Sequence, residues 1–250
     1  MEMENYIGDS ETSDKRDEME KNKVGLLRAL VEAQDPTAKD VDNLMLRRFL
    51  RARDLDVKKA SMMFLKYLKW RRAMTPNGYI SEADIQNELA QEKLYMQGRD
   101  KKGCPIGVIF PSKHKCCQRD LDELKKFVVY SLDKLCASIP EGQEKFVIIE
   151  DLKGWGYANF DIRAYVAALN IMQDCYPERL RKVFLIHVPY IFLTAWKIIY
   201  PFIDKNTRKR IVFVENKNQQ SVLLNEIDES QLPEIYGGKL PLIPIQDSSY

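Results

Sequence analysis

The chain has 250 residues, of which 45% are hydrophobic and 30% are charged, a composition typical of a globular protein with a sizeable core. Its apolar stretches are shorter than the roughly 18 residues that a membrane-spanning helix needs. The N-terminus has no apolar signal region. We therefore expect a cytoplasmic protein that is not secreted through a signal peptide and does not span a membrane.

The net charge of +2 is unevenly distributed along the chain. Residues 1–20 carry eight acidic and two basic side chains, whereas the remaining residues carry 29 acidic and 37 basic ones. Because so charged a segment buries little apolar surface, we expect residues 1–21 to form an acidic disordered tail. The mildly basic remainder predicts a domain that meets an anionic partner.

Residues 22–80 are predicted to form a small N-terminal helical lobe. The sequence Pro-Asn-Gly at positions 76–78 is a turn signal that ends the helical pattern. Apolar residues recur at helical spacing in three segments before it, namely 24–33, 40–53 and 56–72.

A larger lobe is predicted for residues 81–241, followed by a C-terminal tail of residues 242–250. Short apolar, β-branched runs predict strands at 104–110, 145–152, 182–189 and 210–215, with amphipathic helices at 121–139 and 161–176. Strands that alternate with helices predict an α/β fold with a mostly parallel sheet. Such apolar strands fit a sheet covered on both faces, and equally a sheet with one face lining an apolar cavity.

No catalytic or metal site is predicted from the motifs. The five cysteines form no CxxC pair, and the sequence has only two histidines, so metal-ligand spacing is absent. Glu150 and Asp151 are adjacent carboxylates, but neighbours in a strand point to opposite faces, so structural hydrogen bonding is favoured for both. His187 lies in an apolar strand, where a satisfied core histidine is expected. We therefore predict that the protein is not an enzyme.

Nucleic-acid binding is an alternative raised by two basic clusters, "LRRFLRARD" and "DKNTRKRI". Their bases interleave with large aliphatic residues rather than with exposed aromatic ones, and the rest of the chain is only mildly basic. We therefore expect no nucleic-acid partner.

The segment 190–203, "YIFLTAWKIIYPFI", is apolar nearly all round when it is drawn as a helix. A helix of this kind is usually buried in a core. A short aromatic-rich helix followed by basic residues also suits a lid over an apolar cavity that can enter a membrane interface. The pattern alone leaves both interpretations open.

Several motifs make the chain resemble the CRAL-TRIO family, in its Sec-fourteen-like phosphatidylinositol transfer branch. In chain order they are "LRRFLRARDLDVKKA", "GRDKKGCPIGVI", "IIEDLKGW", "CYPERLRKVFLIHVPYIF", "PFIDKNTRKRIVFV" and "LPEIYGGKL". The resemblance covers residues 25–240. It departs from the family pattern at Cys104, where the family has Arg, and at His187 and Val188, where it has Asn and Ala.

The resemblance implies a fold in which a small helical lobe accompanies a lobe whose mostly parallel sheet floors a lipid cavity closed by a gate helix. Segment 190–203 aligns with that gate, and we expect its moving apolar surface to comprise Phe192, Trp196, Ile199 and Phe202. The family's phosphatidylinositol headgroup residues correspond to Arg53, Glu178, Thr207 and Arg210, the last being Lys in the family. A phosphodiester inside a protein needs such cations and hydrogen-bond partners.

Phosphatidylcholine is not expected to be the second ligand. In relatives that hold it, two tyrosines, a serine and a threonine meet the choline headgroup. The corresponding positions here are Met96, Gly107, Phe146 and Ile148. A zwitterionic headgroup would lose its hydration there without gaining polar partners, so a more apolar lipid such as a sterol is expected instead.

We therefore expect a phosphatidylinositol-binding protein that transfers or presents lipid at membrane surfaces, to which it binds peripherally and transiently. It is expected to be a monomer without cofactor or metal, to carry phosphatidylinositol and a second apolar lipid, and to have phosphoinositide kinases as candidate partners. A sterol or isoprenoid carrier and a non-catalytic signalling scaffold are the alternatives.

Overall fold

The computed structural model describes residues 4–116 and 120–249, with side chains from residue 17 onward. The chain divides into two compact units after Pro76. The boundary therefore lies four residues before the one expected at residue 80.

The first unit is helical, as predicted. Its core contains the rings of Phe49 and Phe64, whose centroids lie 5.0 Å apart in an edge-to-face arrangement, with Leu27 and Leu46 fully buried beside them. The helices are α1 (Glu4–Glu32), α2 (Asn43–Arg51) and α3 (Val57–Met74). Asp42 and Asp56 cap α2 and α3, because each carboxylate accepts a hydrogen bond from a backbone N–H in the first turn.

The disordered tail expected for residues 1–21 differs from the structure, in which α1 begins at Glu4. Glu20, near the end of the segment, is held in place by the rest of the first unit. It is 7% exposed and accepts a hydrogen bond from Arg51 at 2.6 Å. Arg47 lies 3.5 Å from the same carboxylate. Composition counts Glu20 as a solvated charge, whereas the fold uses it as an ion-pair partner.

The described part of the second unit contains a five-stranded sheet with the strand order β1-β2-β3-β4-β5. β1 pairs antiparallel with β2, and the other neighbours are parallel, so the predicted α/β class is confirmed. Four strands were expected, whereas β1 was missed because polar residues interrupt it. The strands are β1 (Leu94–Arg99), β2 (Pro105–Ile109), β3 (Phe146–Asp151), β4 (Leu180–Ile186) and β5 (Ile211–Phe213).

Helices cover the two faces of the sheet unequally. The helices of this unit are α4 (Gln86–Leu89), α5 (Leu121–Ala137), α6 (Ile162–Cys175), α7 (Phe192–Ile199), α8 (Lys205–Arg208) and α9 (Gln219–Glu226). The connections between parallel strands place α5, α6 and α7 over one face. The opposite face packs into a closed core with α9 and the segment that follows it.

Residues 242–250, expected as a tail, are part of this unit as far as residue 249. Ile243 accepts a backbone hydrogen bond from Met96 at 3.0 Å, and Ile245 is 1% exposed. Lys134 of α5 donates to the Ile245 carbonyl oxygen at 2.6 Å. The tail prediction was therefore wrong, because one anchored apolar residue is enough to hold so short a segment.

A buried ion pair ties the turn between β1 and β2 to β4. The Asp100 side chain is 0% exposed and accepts hydrogen bonds from Arg181 Nη1 and from the backbone N–H groups of Lys102 and Cys104, the latter two at 2.9 and 2.8 Å. Arg181 also donates to Glu226 at 2.9 Å. Because a buried carboxylate is stable only among donors, this cluster fixes the turn that aligns β1 with β2.

Replacing Asp100 with Ala is expected to lower the free energy of unfolding by about 3 kcal/mol, because Arg181 and two N–H groups lose a buried acceptor. Urea denaturation measures the loss. The matched control is Asp122→Ala, since Asp122 pairs with Lys125 at 2.8 Å but its side chain is 85% exposed. The control should cost less than about 1 kcal/mol, and equal losses would contradict the structural role of Asp100.

Candidate functional site

A cavity of about 290 Å³ lies between the sheet and helices α5, α6 and α7. Its floor is formed by alternate residues of the strands, and its walls by the apolar faces of the helices. The floor residues are Leu94, Ile109, Phe146, Ile148, Glu150, Val183, Leu185 and Ile211. One face of the sheet therefore lines an apolar cavity, which was one of the two arrangements that the strand pattern allowed.

Strand β3 shows how the sequence separates cavity from core. Phe146, Ile148 and Glu150 line the cavity, whereas Val147 and Ile149 are fully buried in the core on the other face. This follows from the period of two along a strand. A continuous apolar run thus serves two different environments.

Only two of the four predicted second-ligand positions line the cavity. Phe146 and Ile148 do so, whereas Met96 and Gly107 lie beneath the end of α5. Gly107 is a neighbour of Ile148 in the sheet, and a Cβ at Gly107 would lie 3.0 Å from Ile148 Cδ1 and 3.4 Å from Leu135 Cδ1. The side chains of Ile148 and Leu135 therefore occupy the space beside Gly107.

Helix α7 closes one side of the cavity. Phe192, Trp196 and Ile199 line the cavity, as expected of a lid. Phe202 is different, because it follows the helix in a 3₁₀ turn (Tyr200–Phe202) and is 47% exposed. Phe202 is therefore exposed rather than directed into the cavity, and its place in the moving surface stays a prediction.

The outer face of this segment is also apolar. Tyr190 is 89% exposed, and Leu193, Ile198 and Tyr200 are each more than 40% exposed, as is Phe202. Large apolar side chains that are clustered and exposed mark a contact surface for a membrane or another partner. Segment 190–203 is thus apolar on both its inner and its outer face.

Apolar contacts and a few polar ones hold α7 in place. The Phe192 ring packs edge-to-face on Trp155 with 5.2 Å between centroids, and Trp196 does the same on Phe213 at 5.1 Å. At the far end, Gln173 of α6 donates to the Phe202 carbonyl oxygen at 3.1 Å. Gln173 also accepts from the N–H of Asp204 at 2.7 Å, and both bonds are exposed to solvent.

The basic residues after the lid divide into two groups. Arg208 donates to the Ile203 carbonyl oxygen at 2.7 Å and its guanidinium lies 4.0 Å from the Tyr200 ring, so it braces the lid. Lys205 and Lys209 are exposed. Arg208 is thus engaged within the protein, whereas the two lysines are exposed to solvent.

The structure brings Glu178 and Arg210 together. Arg210 Nη2 donates to Glu178 Oε2 at 2.7 Å, and its Nη1 donates to the Leu180 carbonyl oxygen at the start of β4. Lys145 lies 3.8 Å from the same carboxylate. Glu178 has a positive φ of 60°, a conformation that costs non-glycine residues energy and often marks functional positions.

The other two predicted headgroup residues have their own settings. Thr207 lines the cavity, and its hydroxyl donates to Asp204 at 2.5 Å. Arg53 belongs to the first unit, where it is half-buried after α2 and donates to the Ala52 carbonyl oxygen at 2.8 Å.

Asp151 and His187 support the sheet from the core side. Asp151 is 3% exposed, lies 2.7 Å from His187 Nδ1 and accepts from the Tyr236 hydroxyl at 3.0 Å. Burial and the Asp151 charge raise the pKa of the Tyr236 hydroxyl above its usual value. The structural role predicted for Asp151 is therefore confirmed, whereas His187 lies just after β4 with its side chain 28% exposed, and not in the core of a strand as expected.

Glu150 does not have the structural role that was expected of it. Its carboxyl group makes no side-chain hydrogen bond among the described residues and faces the cavity. Burial among apolar side chains raises the pKa of this carboxyl to about 7. Sequence reasoning also missed Lys93 and His114, which line the cavity. Of these three residues, only Glu150 could have been found from the sequence. It continues the alternation of Phe146 and Ile148, so it lies on the same face of β3.

The raised pKa of Glu150 predicts a pH-dependent stability. In the folded protein the charged form is disfavoured, so stability is lost as the pH rises from the ordinary pKa of 4.5 towards about 7, and not below 4.5. The loss should reach about 3 kcal/mol by pH 7. Glu150→Gln removes the titration, so its free energy of unfolding should exceed that of the wild type increasingly over this range. Parallel pH profiles would contradict the assignment.

The described residues contain neither a membrane-spanning helix nor a cluster of metal ligands. No helix among them is long and apolar enough to cross a membrane. Within the same residues, no three or more His, Cys, Asp and Glu side chains are grouped so that they could hold a metal ion.

Curated relatives align along most of the chain. The chain is 30% identical over 240 residues to the SEC14 cytosolic factor of Candida glabrata. The alignment covers 89% of this chain and 79% of that protein. The chain is 30% identical over 209 residues to the phosphatidylinositol transfer protein CSR1 of Eremothecium gossypii, covering 79% of this chain but only 47% of CSR1. The chain thus spans about half the length of that relative.

A plant transfer protein and a solved structure are also similar to this chain. The phosphatidylinositol/phosphatidylcholine transfer protein SFH12 of Arabidopsis thaliana is 29% identical over 215 residues, covering 79% of this chain and 39% of SFH12. The crystal structure of Sfh5 superposes with a TM-score of 0.68 over 93% of this chain and 92% of that one, at 16% identity.

The family model of the CRAL/TRIO domain matches residues 89–238, which contain the whole sheet, the cavity and the lid segment. With this match and the similarity to SEC14 cytosolic factor, the chain belongs to the CRAL/TRIO domain family, in its Sec14-like branch.

Proposed function

We propose that the protein binds phosphatidylinositol and transfers it between membranes, or presents it at their surfaces, without catalysing a reaction. The observation that carries this function is the lid, which is apolar towards the cavity and apolar towards solvent. The names of CSR1 and SFH12 describe phosphatidylinositol transfer proteins, which supports the same class of ligand.

A lid of this kind suits lipid exchange for an energetic reason. Transfer of acyl chains into water costs about 0.8 kcal/mol per CH₂, or about 25 kcal/mol for two chains of roughly 16 carbons. A carrier that released its lipid into water would be far too slow. A lid with two apolar faces instead moves from the cavity into the bilayer interface, so that the chains pass between two apolar phases.

The pair of Arg210 and Glu178 supplies chemistry for a phosphoinositol headgroup. The Arg210 guanidinium offers a planar fork of donors for phosphate oxygens, and the Glu178 carboxylate can accept from inositol hydroxyls. Thr207, which lines the cavity, adds a hydroxyl that donates to Asp204 in this structure. The family resemblance adds Arg53 of the first unit as a further cationic residue for the phosphate.

Phosphatidylcholine is proposed to be a poor ligand. The two expected choline positions that line the cavity are the apolar side chains of Phe146 and Ile148. A choline phosphate placed against them would be desolvated without partners. The same apolar floor favours a second candidate function, the transport of a sterol or isoprenoid.

The headgroup proposal predicts that Arg210→Gln slows transfer of labelled phosphatidylinositol between vesicles about tenfold or more, because a charge-assisted hydrogen bond to phosphate is lost. Arg53→Gln, measured separately, tests the contribution of the first unit. Wild-type protein should transfer phosphatidylinositol much faster than phosphatidylcholine.

Lys209→Gln is the control for general electrostatic attraction, since it removes an exposed charge next to Arg210. With vesicles poor in anionic lipid it should change the rate little. Equal rates for the Arg210 variant and wild type, or equally fast transfer of the two lipids, would refute the proposal.

The lid proposal predicts that Ile198→Asp combined with Phe202→Asp slows lipid transfer at least about tenfold. These side chains are 44% and 47% exposed, so the melting temperature should change little, whereas carboxylates on the outer face oppose entry into the bilayer interface. The matched control is Ile235→Asp with Tyr79→Asp, which are 56% and 67% exposed outside the lid. A similar slowing in both double variants would show that the lid is not the membrane-entering face.

A further inference from the structure

The carboxyl ends of β2 and β3 place polar groups at one end of the apolar cavity. Glu150 is the neighbour of Ile109 on β2, which in turn is the neighbour of Leu94 on β1. Lys93 precedes Leu94, and His114 follows β2, and all three polar residues line the cavity. Glu178 and Arg210 lie near the opposite ends of the strands, because Arg210 binds the carbonyl oxygen of Leu180 while Glu150 pairs with Leu185. Five residues of strand separate these levels, or about 16 Å.

The protonation of His114 follows from its neighbour Lys93. Lys93 Nζ lies 3.2 Å from His114 Nδ1, and an ammonium group has donors only, so Nδ1 accepts. Burial and the Lys93 charge lower the pKa of His114, which favours the neutral ring. The neutral ring then carries its hydrogen on Nε2.

Among the described residues that Nε2–H group has no hydrogen-bond partner, although His114 is only 8% exposed. The Asp161 carboxylate oxygen lies 3.7 Å away, beyond hydrogen-bond distance. A buried donor without an acceptor is unfavourable and is rarely left so in folded proteins. Because His114 lines the cavity, a ligand atom can supply the acceptor.

Lys93 is not available to the ligand in the same way. Its three donors are directed to the Glu88 carboxylate, to Gln91 Oε1 at 3.2 Å and to His114 Nδ1. The lysine therefore positions the His114 ring and fixes which nitrogen carries the hydrogen. Among the described residues at this end, His114 Nε2–H and the Glu150 carboxyl remain for a ligand, together with the hydroxyl of Tyr165, whose oxygen accepts from Trp155 Nε1 at 3.1 Å.

We propose that Glu150 and His114 anchor the hydroxyl group of a second, otherwise apolar lipid at this end of the cavity. The inference rests on the proposed function, since it names the class of the second lipid. A hydroxyl oxygen accepts from His114 Nε2–H, and its hydrogen suits Glu150 in either protonation state, because the neutral carboxyl also has an acceptor oxygen. Both a sterol and a long-chain alcohol have this chemistry.

Other ligand classes match the two groups less well. A pure hydrocarbon leaves both without a partner, and a fatty-acid carboxylate would oppose the Glu150 charge. A zwitterionic phospholipid headgroup would place its ammonium by Glu150, but its phosphate could not bind Lys93, whose three donors are occupied. A phosphate needs several donors when it is buried.

The test compares ligands that differ in the hydroxyl group. Dissociation constants are measured for cholesterol and 5-cholestene, and for hexadecanol and hexadecane, delivered from cyclodextrin to the full chain. We expect wild-type protein to prefer the hydroxyl member of at least one pair by about tenfold, and the pair that shows it identifies the sterol or the linear source.

Variants separate the anchor from general packing. Glu150→Leu and His114→Phe should each bring the preference close to one, whereas Glu150→Gln, which keeps a donor and an acceptor, should retain most of it. Ile109→Val trims an apolar neighbour of Glu150 and should change both members of a pair equally. Melting curves check that each variant is folded.

Three results would overturn the proposal: no hydroxyl preference in the wild type, a preference that survives both apolar variants, or tighter binding of phosphatidylethanolamine than of either hydroxyl lipid. The wild-type comparison needs no variant, so a variant that fails to fold leaves the proposal falsifiable. Phosphatidylinositol transfer is measured on the same preparation. If phosphatidylinositol is transferred but no hydroxyl preference is found, only the hydroxyl anchor is refuted. If the hydroxyl preference is found without transfer, only the proposed function is refuted.

Discussion

The alternation of side chains across β3 is the constraint on which the cavity and its support both depend. Asp151 and Glu150 are adjacent, yet the first accepts from the hydroxyl of Tyr236 in the closed core and contacts His187, while the second faces the cavity. A shift of one residue in register would turn every side chain of β3 to the opposite face. Asp151 would then face the cavity, and Glu150 would lie in the closed core. The polar network around Asp151 therefore does more than stabilise the sheet, because it also determines which residues the cavity presents.

A sheet with one face left open to a ligand must obtain its stability elsewhere. Here the opposite face packs with α9 and the segment after it, where Ile227 and Leu232 are fully buried. The edge strand β1 is secured by the Asp100 and Arg181 ion pair and by the backbone bond from Met96 to Ile243. These contacts allow the cavity face to remain apolar and only partly filled without loss of the fold. Hydrophobic burial on the closed face compensates for the smaller hydrophobic burial on the cavity face.

The sequence was sufficient for the elements with strong local signals and insufficient where a residue's partner is distant. Runs such as 145–152 are apolar and β-branched, so β3, β4 and β5 could be predicted. Strand β1 contains Gln97 and Gly98, and it forms because Tyr95 and Met96 pair with β2 and with Pro244 and Ile243 far along the chain. At the site, the motif "YPER" led to Glu178, which Arg210 does contact. The roles of His114 and Lys93 depend on a buried contact between residues 21 positions apart, and no local pattern reveals it.

For the proposed function, the contacts that hold the lid matter because they are of a kind that a membrane interface can replace. Its inner face packs on Trp155 and Phe213, and these apolar contacts would be lost in water but replaced in a bilayer interface. The polar bonds from Gln173 at its end are exposed, so water or lipid headgroups replace them at little cost. Under the proposed function, opening is therefore expensive in solution and inexpensive at a membrane. A surface that stabilises the open state more than the closed one shifts the population towards opening, and no separate regulatory site is required for that shift.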